Sequence, residues 1–123
     1  MATKKRILLV DDEAGILKVV AIQLNLRGYE AISTTRGEEA VEIVRTRQLD
    51  VILLDILMPG MNGLEVLERV REFSQVPVVA FTADLQMAER AMKIGANDYI
   101  LKPFNPDKLV EKIGSVMSSS RPV

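Results

Sequence analysis

Six residues in this chain carry groups that could act together: Asp11, Asp12, Glu13, Asp55, Thr82 and Lys102. Asp55 is the most demanding. It closes the apolar run Val51 to Leu54, and a carboxylate at the end of a buried run is costly unless something compensates it. Each of the others also follows an apolar run: Asp11-Asp12-Glu13 after Ile7 to Val10, Thr82 after Val76 to Phe81, and Lys102 after Tyr99 to Leu101. Carboxylates converging on one crevice raise each other's pKa values unless a cation sits among them. The chain has no Cys and no His, so every available ligand is an oxygen. The expected metal is therefore hard: Mg²⁺, with Mn²⁺ as a substitute and zinc disfavoured. Two carboxylates and a backbone carbonyl would leave positions on Mg²⁺ for a phosphoryl oxygen. Lys102 would add a mobile point charge, and Thr82 with its neighbouring N–H would add donors for the equatorial oxygens of a phosphoryl group in transfer. Asp55, set centrally, would be the carboxylate nucleophile. Without His the chain cannot form phosphohistidine, so the phosphoryl group must come from outside.

These groups need elements that end at one place. The four apolar runs lack polar alternation, which suits strands buried on both faces of a parallel sheet. Tyr29 to Ser33 alternates and reads as an edge strand. Between the runs lie helical patterns, at about Ala14 to Arg27, Glu38 to Arg47, Leu64 to Glu72, Leu85 to Ile94 and Pro106 to Met117. Thr35 with Glu38, and Asn62 with Glu65, have capping-box spacing; Asn105 precedes Pro106, a cap before a good first helical residue. Gly28 and Gly95 sit where a left-handed helix stop is expected. Five strand-helix units predict an α/β three-layer sandwich with right-handed crossovers. In an open parallel sheet the ligand crevice lies beyond the carboxyl ends of the strands, where all these polar residues fall.

At 123 residues the chain fits one domain, 1–123, with an ordered core of about 5–117 and a frayed polar tail at 118–123. Sixteen basic and 17 acidic residues leave a net charge of −1, with no basic block, so direct nucleic acid binding is not expected. The N-terminus is too briefly apolar for a secretory core or a membrane span, and the absence of Cys sits with a reducing compartment. A cytoplasmic protein is expected.

Together "ILLVDDE", "LLDILMPGMNG", "FTAD" and "ANDYILKPF", in this order across about Ile7 to Met117, resemble the receiver domain of bacterial two-component response regulators, the chemotaxis-regulator type included. The resemblance implies a flavodoxin-like sheet of order 2-1-3-4-5, an order for which a member of this family is a standard example. It implies phosphorylation of Asp55 by a sensor histidine kinase or a histidine phosphotransfer protein. It further implies direct Mg²⁺ ligation by Asp12, Asp55 and the Leu57 carbonyl, with Asp11 acting through water. Thr82 and Lys102 would hold the phosphoryl oxygens, Lys102-Pro103 would be a cis peptide, and Tyr99 would turn inward with Thr82 as the switch. The face made by the fourth helix, fifth strand and fifth helix would then be reshaped for an unidentified downstream target. Leu57 and Asp84 stand where the family varies and where phosphoryl lifetime is affected; an apolar Leu57 would shield the acyl phosphate and make hydrolysis moderately slow, whereas a carboxylate at Asp84 would either orient a water or repel one. Lys108 replaces the acid typical of relatives that dimerise through this face, so a monomer or weak dimer is expected.

The first helix is unusually apolar. Its spacing puts Ile16, Val19, Val20 and Leu24 on one face, predicted to be core. Leu17 and Ala21 lie to one side, either as an exposed docking patch or as part of a wider buried face. Three rival functions compete. A phosphatase with an Asp nucleophile would need a second Asp two residues on, where Leu57 stands. An FMN binder would need a Ser/Thr/Gly-rich phosphate loop after the first strand, where Asp11-Asp12-Glu13 would repel the anion. A degenerate receiver would lack one of the acids, Thr82 or Lys102.

Overall fold

In the computed structural model, which describes residues 4–119 with side chains through Ser118, the apolar runs become five strands. They are β1 (Arg6–Val10), β2 (Glu30–Thr34), β3 (Val51–Asp55), β4 (Val78–Thr82) and β5 (Asp98–Leu101). Alternating with them are α1 (Ala14–Leu26), α2 (Gly37–Thr46), α3 (Gly63–Arg71), α4 (Leu85–Ile94) and α5 (Pro106–Ser119). All strand pairs are parallel and the sheet order is β2-β1-β3-β4-β5. The order reverses at β1, between β2 and β3, so the loops after β1 and β3 splay apart and open a crevice at the carboxyl end of the sheet.

Strand alternation divides the core into two layers. Leu8, Val10, Ile52, Leu54, Val78 and Ala80 face α2, α3 and α4; Ile7, Leu9, Leu53, Val79 and Phe81 face α1 and α5. Burying both faces explains why β1, β3 and β4 are almost wholly apolar. β5 departs from the expected doubly buried strand. Its residues are half-buried and Leu101 is exposed, because β5 lies at the edge of the sheet and only one neighbour covers it.

The local signals act as their chemistry requires, with two exceptions. The Asn62 side chain accepts from the Glu65 N–H at 3.0 Å, and Asn105 Oδ1 accepts from the Asp107 N–H at 2.8 Å. Gly28 and Gly95 have φ of 89° and 135°, a region open to glycine. The Thr35–Glu38 box does not form. β2 continues to Thr34, whose own hydroxyl accepts from the Arg36 N–H and bonds the Glu39 carboxylate, and α2 begins at Gly37 with no side-chain cap. α1 buries Val20 and Leu24 as its spacing predicts, but the inward face is rotated so that Leu17 replaces Val19. Leu17, Val20 and Leu24 are buried, whereas Val19, Ile22 and Leu26 are exposed. Ile16 and Ala21 pack partly at the margins. The helix is apolar on both sides, so periodicity could not choose between them, and the sheet did. Leu17 is therefore part of a wider buried face, the second of the two alternatives. α5 extends through Ser118 and Ser119, two residues into the stretch expected to fray; residues 120–123 lie outside the described residues. No helix among the described residues is long and apolar enough to cross a membrane.

Candidate functional site

Four strand ends supply the groups at the crevice. Asp11 follows β1 and shares the face of Ile7 and Leu9; Asp55 ends β3 on the face of Leu53. Both are enclosed, at 0% and 2% exposure, while Asp12 is exposed at the crevice mouth. One carboxylate oxygen from each of Asp11, Asp12 and Asp55 lies within 4.8 Å of the others. Backbone donors orient two of them: the Glu13 N–H donates to Asp11 Oδ1 at 2.9 Å, and the Leu57 N–H to Asp55 Oδ1 at 3.2 Å. Glu13 itself is exposed and N-caps α1 without a side-chain bond, so it stands outside the cluster.

Lys102 reaches in from the end of β5. Its Nζ donates to Asp11 Oδ2 and Asp55 Oδ2, each at 3.5 Å. Lys102-Pro103 is a cis peptide, as expected. One ammonium shared by two carboxylates leaves the cluster anionic. Asp55 shows the consequence: its pKa is raised from 3.8 to about 7, chiefly by burial and then by the Asp11 charge, against the lowering pull of Lys102 and of the Leu57 N–H. Desolvation wins because Asp55 has almost no contact with water. A small divalent cation among the three oxygens would reverse this balance, and the all-oxygen donor set suits Mg²⁺.

Thr82 ends β4 with 1% exposure, and its hydroxyl accepts from the Asp84 N–H at 3.2 Å. Asp84 in turn caps α4 through the Gln86 N–H at 2.9 Å. The loop after Asp55 folds back tightly. The Gly63 N–H donates to the Ile56 carbonyl at 2.8 Å, and a Cβ at Gly63 would lie 2.2 Å from the Asp55 carbonyl oxygen. Only glycine allows that return, so Gly63 is a structural requirement of the site. The Leu57 side chain is exposed beside it. Tyr99 is half-buried near the edge of the sheet, with Lys112 Nζ 5.8 Å from its ring centroid and bonded to its carbonyl at 2.9 Å.

The structure thus brings together Asp11, Asp12, Asp55 and Lys102, places Thr82 at the adjoining strand end, and leaves Tyr99 at the margin. Sequence reasoning missed Phe81. Its ring lies under the Lys102 ammonium, 4.7 Å from centroid to Nζ. The available signal was parity: Phe81 is in register with Asp55 on the neighbouring strand, so both side chains leave the same face of the sheet.

Comparison with known proteins identifies the family and the fold. Residues 7–114 match the family described as the response regulator receiver domain. The probable transcriptional regulator ycf27 of Guillardia theta is 38% identical over 119 residues, covering 95% of this chain and 47% of that protein. The DNA-binding response regulator MtrA of Mycolicibacterium paratuberculosis is 38% identical over 112 residues, covering 89% of this chain and 50% of that protein. The chain spans about half the length of these curated relatives. Among solved structures, a CheY-like response regulator receiver domain protein from Methanospirillum hungatei superposes with a TM-score of 0.89 at 31% identity, covering 95% of this chain and 96% of that one. With a matching fold, a matching sequence over most of its length and an acidic cluster where the strand order reverses, the chain belongs to the response regulator receiver domain family.

Proposed function

We propose that this chain is a phosphoacceptor in two-component signal transduction, working as a single receiver unit in which Asp55 takes a phosphoryl group from a histidine. One observation carries the reading: three carboxylate oxygens within 4.8 Å of each other, with a lysine ammonium 3.5 Å from two of them. An ion pair serving the fold alone would match one cation to one anion. A surplus of carboxylates around a buried central one fits a site that awaits a further cation.

Asp12, Asp55 and the Leu57 carbonyl would hold Mg²⁺, with Asp11 acting through water. When bound, the metal would supply charge neutralisation and an orienting contact for the incoming phosphoryl oxygens. Asp55 contributes the nucleophile: a carboxylate oxygen bonds to phosphorus as the P–N bond of the donor phosphohistidine breaks, and the electron pair returns to the imidazole nitrogen, which then takes up a proton. Lys102, already at the Asp55 oxygen, moves with the new negative charge and donates to a phosphoryl oxygen. Thr82 turns its hydroxyl from the Asp84 N–H toward the same group, and Tyr99 moves inward as the second half of the switch. The α4-β5-α5 face then changes for a downstream target. The donor is a sensor histidine kinase or a histidine phosphotransfer protein. Relatives named as a probable transcriptional regulator and a DNA-binding response regulator carry about as much chain again outside the matched stretch. The proposal assigns this chain the phosphoacceptor step alone.

The test is intact-mass measurement after incubation with acetyl phosphate and Mg²⁺. One phosphoryl mass is expected on the native chain, absent with EDTA and absent in Asp55→Asn. An unmodified native chain, or equal labelling of the variant, would refute the assignment.

A further inference from the structure

Lys102 has two places to go. Lys102 itself borders, with Ile16, Ala83, Pro103 and Phe104, a cavity of about 380 Å³ open to solvent, and a flexible four-carbon chain can extend its ammonium further into it. In the structure the ammonium instead points into the crevice. Its two carboxylate contacts are both 3.5 Å, longer than a charge-assisted hydrogen bond of about 2.7–2.9 Å, so neither acid holds it tightly. The ring of Phe81 is the third contact, with its centroid 4.7 Å from Nζ, within the range in which the ring quadrupole attracts a cation.

That ring is itself fixed. Phe81 is 1% exposed, its backbone carbonyl accepts from the Ile56 N–H at 3.1 Å, and Phe104 meets it edge-on at 6.0 Å with an interplanar angle of 89°. The residue beside Asp55 in the sheet and the residue just past Lys102-Pro103 thus build one aromatic corner. An aliphatic side chain at position 81 would fill the core but present no charged face.

Resting on the phosphoacceptor reading above, we propose that Phe81 is a positioning residue for Lys102, its ring seating the ammonium within reach of the Asp55 oxygen and away from the neighbouring cavity. The ring touches no reacting atom; it acts through Lys102.

The experiment uses the full chain with phenylalanine 81 replaced by its 4-fluoro, 3,5-difluoro and 3,4,5-trifluoro analogues, which keep the ring's shape while draining charge from its face. The first readout is the NMR shift of the Lys102 ε-methylene, assigned with Lys102→Arg and recorded without Mg²⁺ or phosphodonor. The second is the rate of phosphorylation by acetyl phosphate at saturating Mg²⁺. The ε-methylene signal is expected to leave its ring-shifted position in step with fluorination. The rate should fall stepwise, reaching roughly two- to tenfold at the trifluoro analogue. A flat series in both readouts, with only Phe81→Leu slowing the reaction, would reduce Phe81 to core packing and overturn the proposal. If the native chain takes no phosphoryl group, the phosphoacceptor reading fails by itself, and the NMR series alone decides: a graded shift upholds the aromatic seat, a flat one removes it.

Discussion

Replacing Asp55 by Asn should make the metal-free protein more stable, and the pH dependence of the gain tests the electrostatics of the site. In the folded chain the carboxyl's pKa is raised from 3.8 to about 7, so between those values the native state holds a proton that the unfolded state has lost. Stability must then fall as pH rises from about 4 to 7 and level off above. Each tenfold change in proton affinity corresponds to about 1.4 kcal/mol, which sets a ceiling of about 4 kcal/mol for the cost at pH 8. Local relaxation reduces this to about 2–4 kcal/mol, a rise in Tm of roughly 8–16 °C for a domain this size. Asn keeps the shape and removes the charge, so the variant should gain that stability at pH 8 and lose it at pH 4. Urea unfolding in EDTA at pH 4, 6 and 8 measures it. Mg²⁺ at 100 times its Kd should raise native stability by about 2.7 kcal/mol and act more weakly on the variant. An Asn variant that is less stable at pH 8, or that shows the native slope between pH 4 and 7, would refute the argument that burial and the Asp11 charge govern this carboxyl.

Gly63→Ala should cost about 3 kcal/mol or more in urea unfolding, because the added Cβ would sit 2.2 Å from the Asp55 carbonyl oxygen and 2.6 Å from the Ile56 Cα, both backbone atoms. Arg71, half-buried at the end of α3 and with its pKa lowered by burial, donates to the Gly95 carbonyl, the Ser74 carbonyl and Asn97 Oδ1 at 3.0–3.1 Å. Arg71→Met should therefore lose about 2–3 kcal/mol, with Arg71→Lys recovering only part, since an ammonium cannot span the three acceptors. Leu17→Glu should destabilise by about 3 kcal/mol or more, whereas Val19→Glu, at a position 53% exposed, should stay within about 0.5 kcal/mol; thermal melts of the pair separate the two faces of α1.

Much of the fold was legible because its signals are local. Unbroken apolar runs mark strands covered on both sides, and Asn62, Asn105, Gly28 and Gly95 act on their own backbone neighbours whatever lies beyond. The failures have one cause. α1 is apolar on both sides, and only the sheet beneath decided that Leu17 goes in and Val19 out. The Tyr99 to Leu101 run of β5 carries no polar alternation, yet its place at the edge leaves it half covered. Thr34 displaced Thr35 at the start of α2 because the strand ran one residue further than its composition indicated.

For the site, the sequence by itself determined the inventory: four acids, a threonine and a lysine after apolar runs, with no thiol or imidazole to compete for a metal. Residue type and position relative to an apolar run are written in the chain, because they depend only on covalent order. Tertiary structure decided which of these groups meet. It joined Asp11 to Asp55 across two strands, left Glu13 outside, set Lys102 between two carboxylates, and slid Phe81 beneath it. Those outcomes turn on distances of a few ångströms between residues 21 to 91 positions apart, fixed by strand register and burial and encoded by no single stretch of sequence.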